Sequence, residues 1–254
     1  MSIHERSGFL RKIALLRENV PSFRQYPFNL NAVRELSELE FHPKVTYLVG
    51  ENGSGKSTLM EALAVALGFN AEGGTVNFTF QTEATHSELH HYLKPVRGAR
   101  RPKDGFFFRA ESYYNLATNI DEMDKEGRGP SIISSYGGKS LHQQSHGESF
   151  FSTFLHRFGG NGLYILDEPE AALSPSRQMA LLARMHDLIQ DNSQFIIATH
   201  SPIVMAYPDS VIYELSADGI GTTTWEETEH YIITKQFLNN RDRMLKDLLE
   251  EEFD

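Results

Sequence analysis

Residues 45–57 read VTYLVGENGSGKS, and this stretch decides the fold of the chain. It begins with a run that favours a β-strand, and the glycine-rich turn after the run matches the spacing G-x-x-x-x-G-K-S in full. Residues 57–67 then favour a helix, which Gly68 ends. A strand, such a turn and a helix in this order predict a phosphate-binding loop at the end of a buried strand.

The turn contains the residue types that binding of nucleotide phosphates requires. Gly53 and Gly55 let the backbone approach a phosphate closely and point successive N–H groups at it. Lys56 is expected to reach the β- and γ-phosphates, and the Ser57 hydroxyl is expected to bind Mg²⁺. The predicted nucleotide-binding residues of this stretch are Gly50, Asn52, Gly53, Ser54, Gly55, Lys56, Ser57 and Thr58.

A second buried strand ends in two adjacent carboxylates. Residues 163–170 read LYILDEPE, four apolar residues followed by the acidic pair. Asp167 is predicted to lie beside the phosphate loop and to hold Mg²⁺ through its water shell. Glu168 is predicted to be catalytic, because a carboxylate not used by the metal can polarise the attacking water. Glu170 is interpreted as a solvated charge at the start of a helix.

A histidine follows the next buried strand. Residues 196–202 read IIATHSP, so His200 comes directly after the strand. At that place it would lie near the γ-phosphate, where it can sense or stabilise the transferring group. His200 is therefore a predicted catalytic residue.

Continuous apolar strands separated by helices indicate a parallel sheet covered on both faces. The predicted fold class is α/β: a P-loop NTPase core with a mostly parallel sheet, a small antiparallel β part and a short helical lobe at about residues 112–158. Residues 75–80 are predicted to form a half-exposed strand. A hairpin followed by a helix, the latter from about residue 234 to 252, is predicted within residues 211–254. The chain, residues 1–254, is predicted to be one domain.

Together these motifs resemble the ABC-type ATPase superfamily. The distinguishing element is QSHGE at residues 144–148, which is similar to a degenerate form of the LSGGQ signature and precedes the acidic strand. Ser145 and Gly147 match the serine and the second glycine, whereas the other three positions depart from the signature. The nearest resemblance is to soluble ATPases labelled AAA, which are related to the heads of chromosome-maintenance and recombination ATPases.

The resemblance implies how the site is completed. Ser145 and Gly147 would bind the γ-phosphate of ATP held by the opposite subunit, and residues 172–175 look like the loop that crosses the dimer interface. The family also places a glutamine near Mg²⁺ and the water. Here Glu111 is favoured for that catalytic role, with Gln81 as the competing candidate.

The resemblance also implies the activity. It implies an ATPase that uses ATP and Mg²⁺ and works as a homodimer with two ATP molecules between the subunits, as a switch or motor for another protein. Nucleic-acid maintenance or defence is one expected setting. The alternatives are the ATP-binding subunit of a membrane transporter and an ATP sensor that does not hydrolyse.

Composition limits these alternatives. The chain has 254 residues and a net charge of −10, and it has no cysteine, which excludes a disulfide scaffold and fits the reducing cytoplasm. No apolar run reaches the roughly 18–20 residues that span a bilayer, so a cytoplasmic protein without a membrane span is expected.

One basic stretch stands out in this acidic chain. It is interpreted as a loop, either solvated or in contact with the acidic parts of its own dimer, or in contact with the phosphates of nucleic acid. Its basic residues, all within residues 94–103, are Lys94, Arg97, Arg100, Arg101 and Lys103.

Overall fold

The computed structural model describes residues 8–76, 87–125 and 131–249. In chain order its strands are β1 (Leu10–Leu15), β2 (Glu38–Glu40), β3 (Val45–Gly50), β4 (Leu93–Arg97), β5 (Asp104–Arg109), β6 (Gly162–Asp167), β7 (Gln194–Ala198), β8 (Ser210–Ser216) and β9 (Gly219–Thr223). Its helices are α1 (Asn31–Arg34), α2 (Lys56–Leu67), α3 (Tyr113–Lys125), α4 (His146–His156), α5 (Pro175–Gln190), α6 (Glu229–Asn239) and α7 (Arg241–Leu249).

The central sheet has six strands in the order β5-β6-β7-β3-β8-β9, and the described strands are parallel except for β9. Its register aligns Leu48 of β3 with Ala198 of β7, and Ala198 with Asp167 of β6. The carboxyl ends of these three strands therefore meet at one edge of the sheet. The predicted α/β fold with a mostly parallel sheet is confirmed.

Two hydrophobic clusters cover the two faces of this sheet. Successive side chains of a strand point to opposite faces, so Tyr47 of β3 belongs to one cluster and Leu48 to the other. The first cluster is rich in aromatic rings, among them Phe158 stacked on Tyr164 with ring centroids 4.3 Å apart. Helices α3, α4 and α5 contribute to that cluster, and α2 contributes to the other. Helices α3 and α4 lie within residues 112–158, the range of the predicted helical lobe.

A small antiparallel sheet, ordered β2-β1-β4, packs on the α2 side. Its third strand corrects the interpretation of residues 94–103 as a loop, because Lys94 and Arg97 belong to β4 and pair with β1. Pro95 also belongs to β4, and proline is compatible with an edge strand such as this one. Leu93 is buried at the start of the strand and fixes this pairing.

The C-terminal part differs from the prediction in one respect. Strands β8 and β9 form the predicted antiparallel hairpin. The single predicted helix is instead two helices, since α6 already begins at Glu229, where the Thr228 side chain caps it, and Asn240 leaves the helical conformation. Most of the predicted strand at 75–80 lies outside the described residues. Within the described ranges, no helix is both long enough and apolar enough to cross a membrane.

Candidate nucleotide-binding site

The phosphate loop connects β3 to α2 and depends on its glycines. Gly53 and Gly55 have φ angles of 80° and 96°, which residues other than glycine rarely adopt. At Gly50 a β-carbon would lie 2.3 Å from the carbonyl oxygen of Leu215 in the neighbouring strand β8. Among the described residues, no side chain caps the N-terminus of α2, so the first N–H groups of this helix can bind a ligand in the loop. This geometry fits a phosphate group.

Lys56 lies inside the loop rather than in solvent. Its side-chain ammonium donates hydrogen bonds to the carbonyl oxygens of Gly50, at 2.7 Å, and Glu51, at 2.8 Å. Burial lowers the pKa of Lys56, and the carboxylates of Glu168 and Asp167 oppose that shift. The loop and the acidic end of β6 thus face each other across a short distance.

Ser57 and Asp167 bring two oxygen ligands together. The Ser57 hydroxyl donates to Oδ1 of Asp167 over 3.2 Å. Burial raises the pKa of Asp167 to about 7; the Arg109 guanidinium opposes this and the Glu168 carboxylate adds to it. A hydroxyl beside a buried carboxylate suits Mg²⁺, so the oxygens of Ser57 and Asp167 would hold the ion. The described residues contain no cluster of three or more His, Cys, Asp and Glu side chains that could hold a metal alone.

Glu168 has a left-handed backbone, with φ of 52°, which is uncommon for a residue with a side chain. Its N–H donates to the carbonyl of Ala198 at 2.9 Å, so the turn after β6 is tied to the end of β7. The Glu168 side chain is 39% exposed, and its Oε1 lies 3.6 Å from Nε2 of His200. Strained conformations of this kind cluster at functional sites.

Glu170 corrects the sequence interpretation. It is not a solvated charge at a helix start, because α5 begins only at Pro175. Glu170 instead lies in the turn after Pro169, in contact with the loop that contains His200. Its Oε1 accepts the backbone N–H of His200 at 2.6 Å, and burial raises the pKa of Glu170. A sequence pattern alone gives no sign of this contact, which joins two loops that are distant in the chain.

Arg109 was missed by the sequence analysis. It ends β5 in register with Asp167, and its guanidinium pairs with Glu61 at 2.5 Å and with Glu111 at 3.1 Å and lies 3.9 Å from Asp167. Its place as the last residue of an apolar strand was the sequence feature that could have indicated a site residue. The Glu111 side chain is 77% exposed and turns to Arg109. The competing candidate, Gln81, lies outside the described residues.

Ser145 is the N-cap of α4, and Gly147 lies in the first turn of that helix. Ser145 is exposed and caps the helix: its hydroxyl donates to Glu148 Oε2 at 2.8 Å and accepts from the Glu148 N–H at 3.3 Å. Gly147 is buried, and a β-carbon there would lie 2.2 Å from the carbonyl oxygen of Ala172. The start of α4 therefore packs closely on the backbone of Ala172.

A cavity of about 510 Å³ adjoins the phosphate loop. It lies between residues 50–54, residues 29–31 and the end of β8, with Glu229 at its wall. Nearby, the exposed Tyr26 hydroxyl lies 3.3 Å from the hydroxyl of Thr58. The cavity gives space for a ligand group that extends from the loop.

Two family models match separate stretches of the chain. One described as "AAA domain" matches residues 20–122, and one described as "AAA domain, putative AbiEii toxin, Type IV TA system" matches residues 140–206. The first stretch includes the phosphate loop. The second includes Ser145, Asp167, Glu168 and His200, so the two matches cover both halves of the candidate site.

The chain is also similar to solved structures. One is an SMC head domain from Thermotoga maritima, at 16% identity and a TM-score of 0.44, covering 85% of this chain and 99% of that one. Another is the ATP-binding subunit of an ABC transporter, at 19% identity and a TM-score of 0.45, covering 95% and 100%. No curated protein matches the chain significantly.

Proposed function

We propose that this chain, an ATPase of the AAA/ABC P-loop class, hydrolyses ATP with Mg²⁺ in sites shared between two copies of itself. The observation that carries the proposal is the grouping of side chains at the carboxyl ends of β3, β6 and β7. A phosphate-binding lysine, two oxygen ligands for a cation, an acidic residue with strained backbone and a histidine lie within reach of one another there. These residues are Lys56, Ser57, Asp167, Glu168 and His200.

Each residue has a distinct part in the proposed hydrolysis. Lys56 and the N–H groups that begin α2 bind the β- and γ-phosphates. Ser57 and Asp167 hold Mg²⁺, which when bound neutralises charge on the phosphates. Glu168 accepts a proton from the attacking water, and His200 contacts the γ-phosphate. Arg109 neutralises the carboxylates around Asp167 and keeps them in place.

The sharing of sites between two copies is supported by the start of α4. Ser145 is exposed at a helix N-terminus, and among the described residues its side-chain hydrogen bonds run to Glu148. A helix N-terminus binds anions, so this end can bind the γ-phosphate of ATP held by a second copy. The phosphate would compete with the Glu148 carboxylate for the Ser145 hydroxyl. In this proposal the dimer acts as a switch or motor for a partner protein.

The Ser145→Asp variant tests this dimer. Aspartate is also a favourable N-cap residue, although it cannot donate to Glu148 as the serine hydroxyl does, and it places a negative charge where the partner's γ-phosphate would bind. With Mg²⁺ and a non-hydrolysable ATP analogue, sedimentation should show that the wild type doubles its mass, whereas Ser145→Asp stays a monomer and still binds the analogue. The matched control Ser145→Thr keeps the hydroxyl and should dimerise. A dimer of Ser145→Asp that forms as readily as the wild-type dimer contradicts the proposal.

We propose a second contact, with nucleic acid, on the opposite edge of the central sheet. Arg97, Arg101 and Lys103 line one cavity of about 390 Å³, together with the apolar rings of Phe9 and Phe69. Strand β5 starts at this cavity and ends beside Asp167, so the two sites lie at opposite ends of a strand. Cations that converge on one cavity suit the phosphates of a single strand.

Neutralising this cavity should weaken nucleic-acid binding selectively. We expect the variant with Arg97, Arg101 and Lys103 replaced by Gln to bind labelled single-stranded DNA at least about tenfold more weakly, with a shallower salt dependence, because phosphate contacts release counterions. Fluorescence anisotropy at several salt concentrations measures both quantities. Replacing Arg241 and Arg243 by Gln is the control. Equal affinities of wild type and triple variant contradict this contact.

A further inference from the structure

His230, in the first turn of α6, contacts the predicted catalytic histidine. Its Nε2 lies 3.0 Å from Nδ1 of His200, a hydrogen-bond distance. Both side chains are partly buried. The segment that leads into α6 is also tied to the loop after His200, because Trp225 donates its indole N–H to the carbonyl oxygen of Pro202 at 2.9 Å. Helix α6 thus reaches the candidate site through a defined contact.

The direction of the hydrogen bond follows from the other neighbour of His200. Its Nε2 lies 3.6 Å from the Glu168 carboxylate, so a proton on Nε2 is attracted there, whereas a lone pair would be repelled. Burial lowers the pKa of both histidines, so each ring carries one proton near neutral pH. With its proton on Nε2, His200 has a bare Nδ1, and His230 must be the donor.

The surroundings of His230 agree with this direction. Its Nδ1 is buried, and no atom of the described residues bonds to it. If His230 accepted the bond at Nε2, its own proton would be on Nδ1 and would be a buried donor without an acceptor. Such orphaned donors are rarer in proteins than unpaired acceptors. When the proton of His230 is on Nε2, the buried Nδ1 is an unpaired acceptor and not an unpaired donor.

We propose that His230 is a positioning residue: it donates Nε2–H to Nδ1 of His200 and thereby keeps the His200 proton on Nε2, the nitrogen that faces the candidate catalytic centre. The use of that proton as a donor to the γ-phosphate rests on the proposed function. The Glu170 carboxylate holds the backbone of His200, and His230 fixes its ring. The contact from His230 determines which nitrogen of the His200 ring carries the proton and can donate it.

The tautomer can be measured directly in the free protein. Imidazole ¹⁵N chemical shifts distinguish the two tautomers, and the His200→Gln spectrum identifies the His200 signals. We expect the wild type to carry the His200 proton on Nε2, His230→Leu to show a mixture, and His230→Gln, whose amide can donate, to restore the wild-type pattern. A His200 proton on Nδ1 in the wild type, or an unchanged tautomer in His230→Leu, overturns the inference.

Turnover provides an independent readout. His230→Leu should lower kcat for ATP roughly 10- to 100-fold with little change in KM, as for other partners that orient a functional histidine, and His230→Gln should recover most of it. His186→Leu, which removes an exposed histidine of α5, is the matched control, and thermal melting checks the fold of each variant. If His230→Leu keeps the wild-type kcat while Glu168→Gln loses it, this inference fails alone. If the wild type turns over ATP no faster than Glu168→Gln, the proposed function fails, and the ¹⁵N spectra still decide the tautomer.

Discussion

Replacing Lys56 with Ala should abolish ATP binding at accessible concentrations. The Lys56 ammonium is buried in the phosphate loop within hydrogen-bond distance of two loop carbonyls, so it is already placed for the β- and γ-phosphates. Charge-assisted hydrogen bonds to two phosphates contribute about 3–6 kcal/mol together. Their loss corresponds to roughly a 10²- to 10⁴-fold higher Kd. Titration with a fluorescent ATP analogue in the presence of Mg²⁺ measures this change.

A second lysine, at the other end of β3, gives a matched control. Lys44 lies directly before β3, at the opposite end from Lys56, and pairs with Asp209 on the surface. Surface ion pairs contribute about 0–1 kcal/mol, so Lys44→Ala should bind ATP like the wild type. Equal Kd values for Lys56→Ala and Lys44→Ala would contradict the assignment of residues 50–58 as the phosphate site.

The Glu168→Gln variant should bind ATP normally and lose turnover. Glutamine has the same shape as glutamate, so the packing around the left-handed turn is kept, but it cannot accept a proton from the attacking water. Loss of such a base lowers kcat roughly 10²- to 10⁴-fold. Because ATP is no longer consumed, the variant should also accumulate as an ATP-bound dimer. Phosphate release and sedimentation measure the two effects.

This variant also separates the proposed activity from a sensor that binds ATP without hydrolysis. Glu38→Gln, on the edge strand β2, is the control for a general effect of the substitution. A wild type that releases phosphate no faster than Glu168→Gln would leave ATP binding as the function. A protein that purifies with a membrane complex would instead favour the role of a transporter subunit.

Much of the fold follows from local sequence patterns. Strands β3, β6 and β7 are continuous apolar runs because both faces of the central sheet are covered, and such runs can be identified without a structure. Strands β1, β2 and β4 have mixed burial and lie partly in solvent, so their sequences lack that signal. Their pairing depends on contacts between residues distant in the chain, such as Leu15 with Leu93.

The candidate site shows the same limit. Lys56, Asp167 and His200 each belong to a recognisable local motif, and the sheet brings their strand ends together. Glu170 and His230 act through contacts with His200, and each lies 30 residues from it in the chain. No local sequence motif predicts contacts between residues so far apart.

Mixing two inactive variants tests the shared site most directly. Lys56→Ala lacks its own phosphate site but keeps Ser145, whereas Ser145→Asp keeps its phosphate site and lacks the group offered to the partner. A mixed dimer contains one intact site of two, and neither variant should dimerise with itself, so equal amounts should recover up to roughly half of the wild-type ATPase rate. No recovery above the sum of the separate variants would contradict a site built from two copies of the chain.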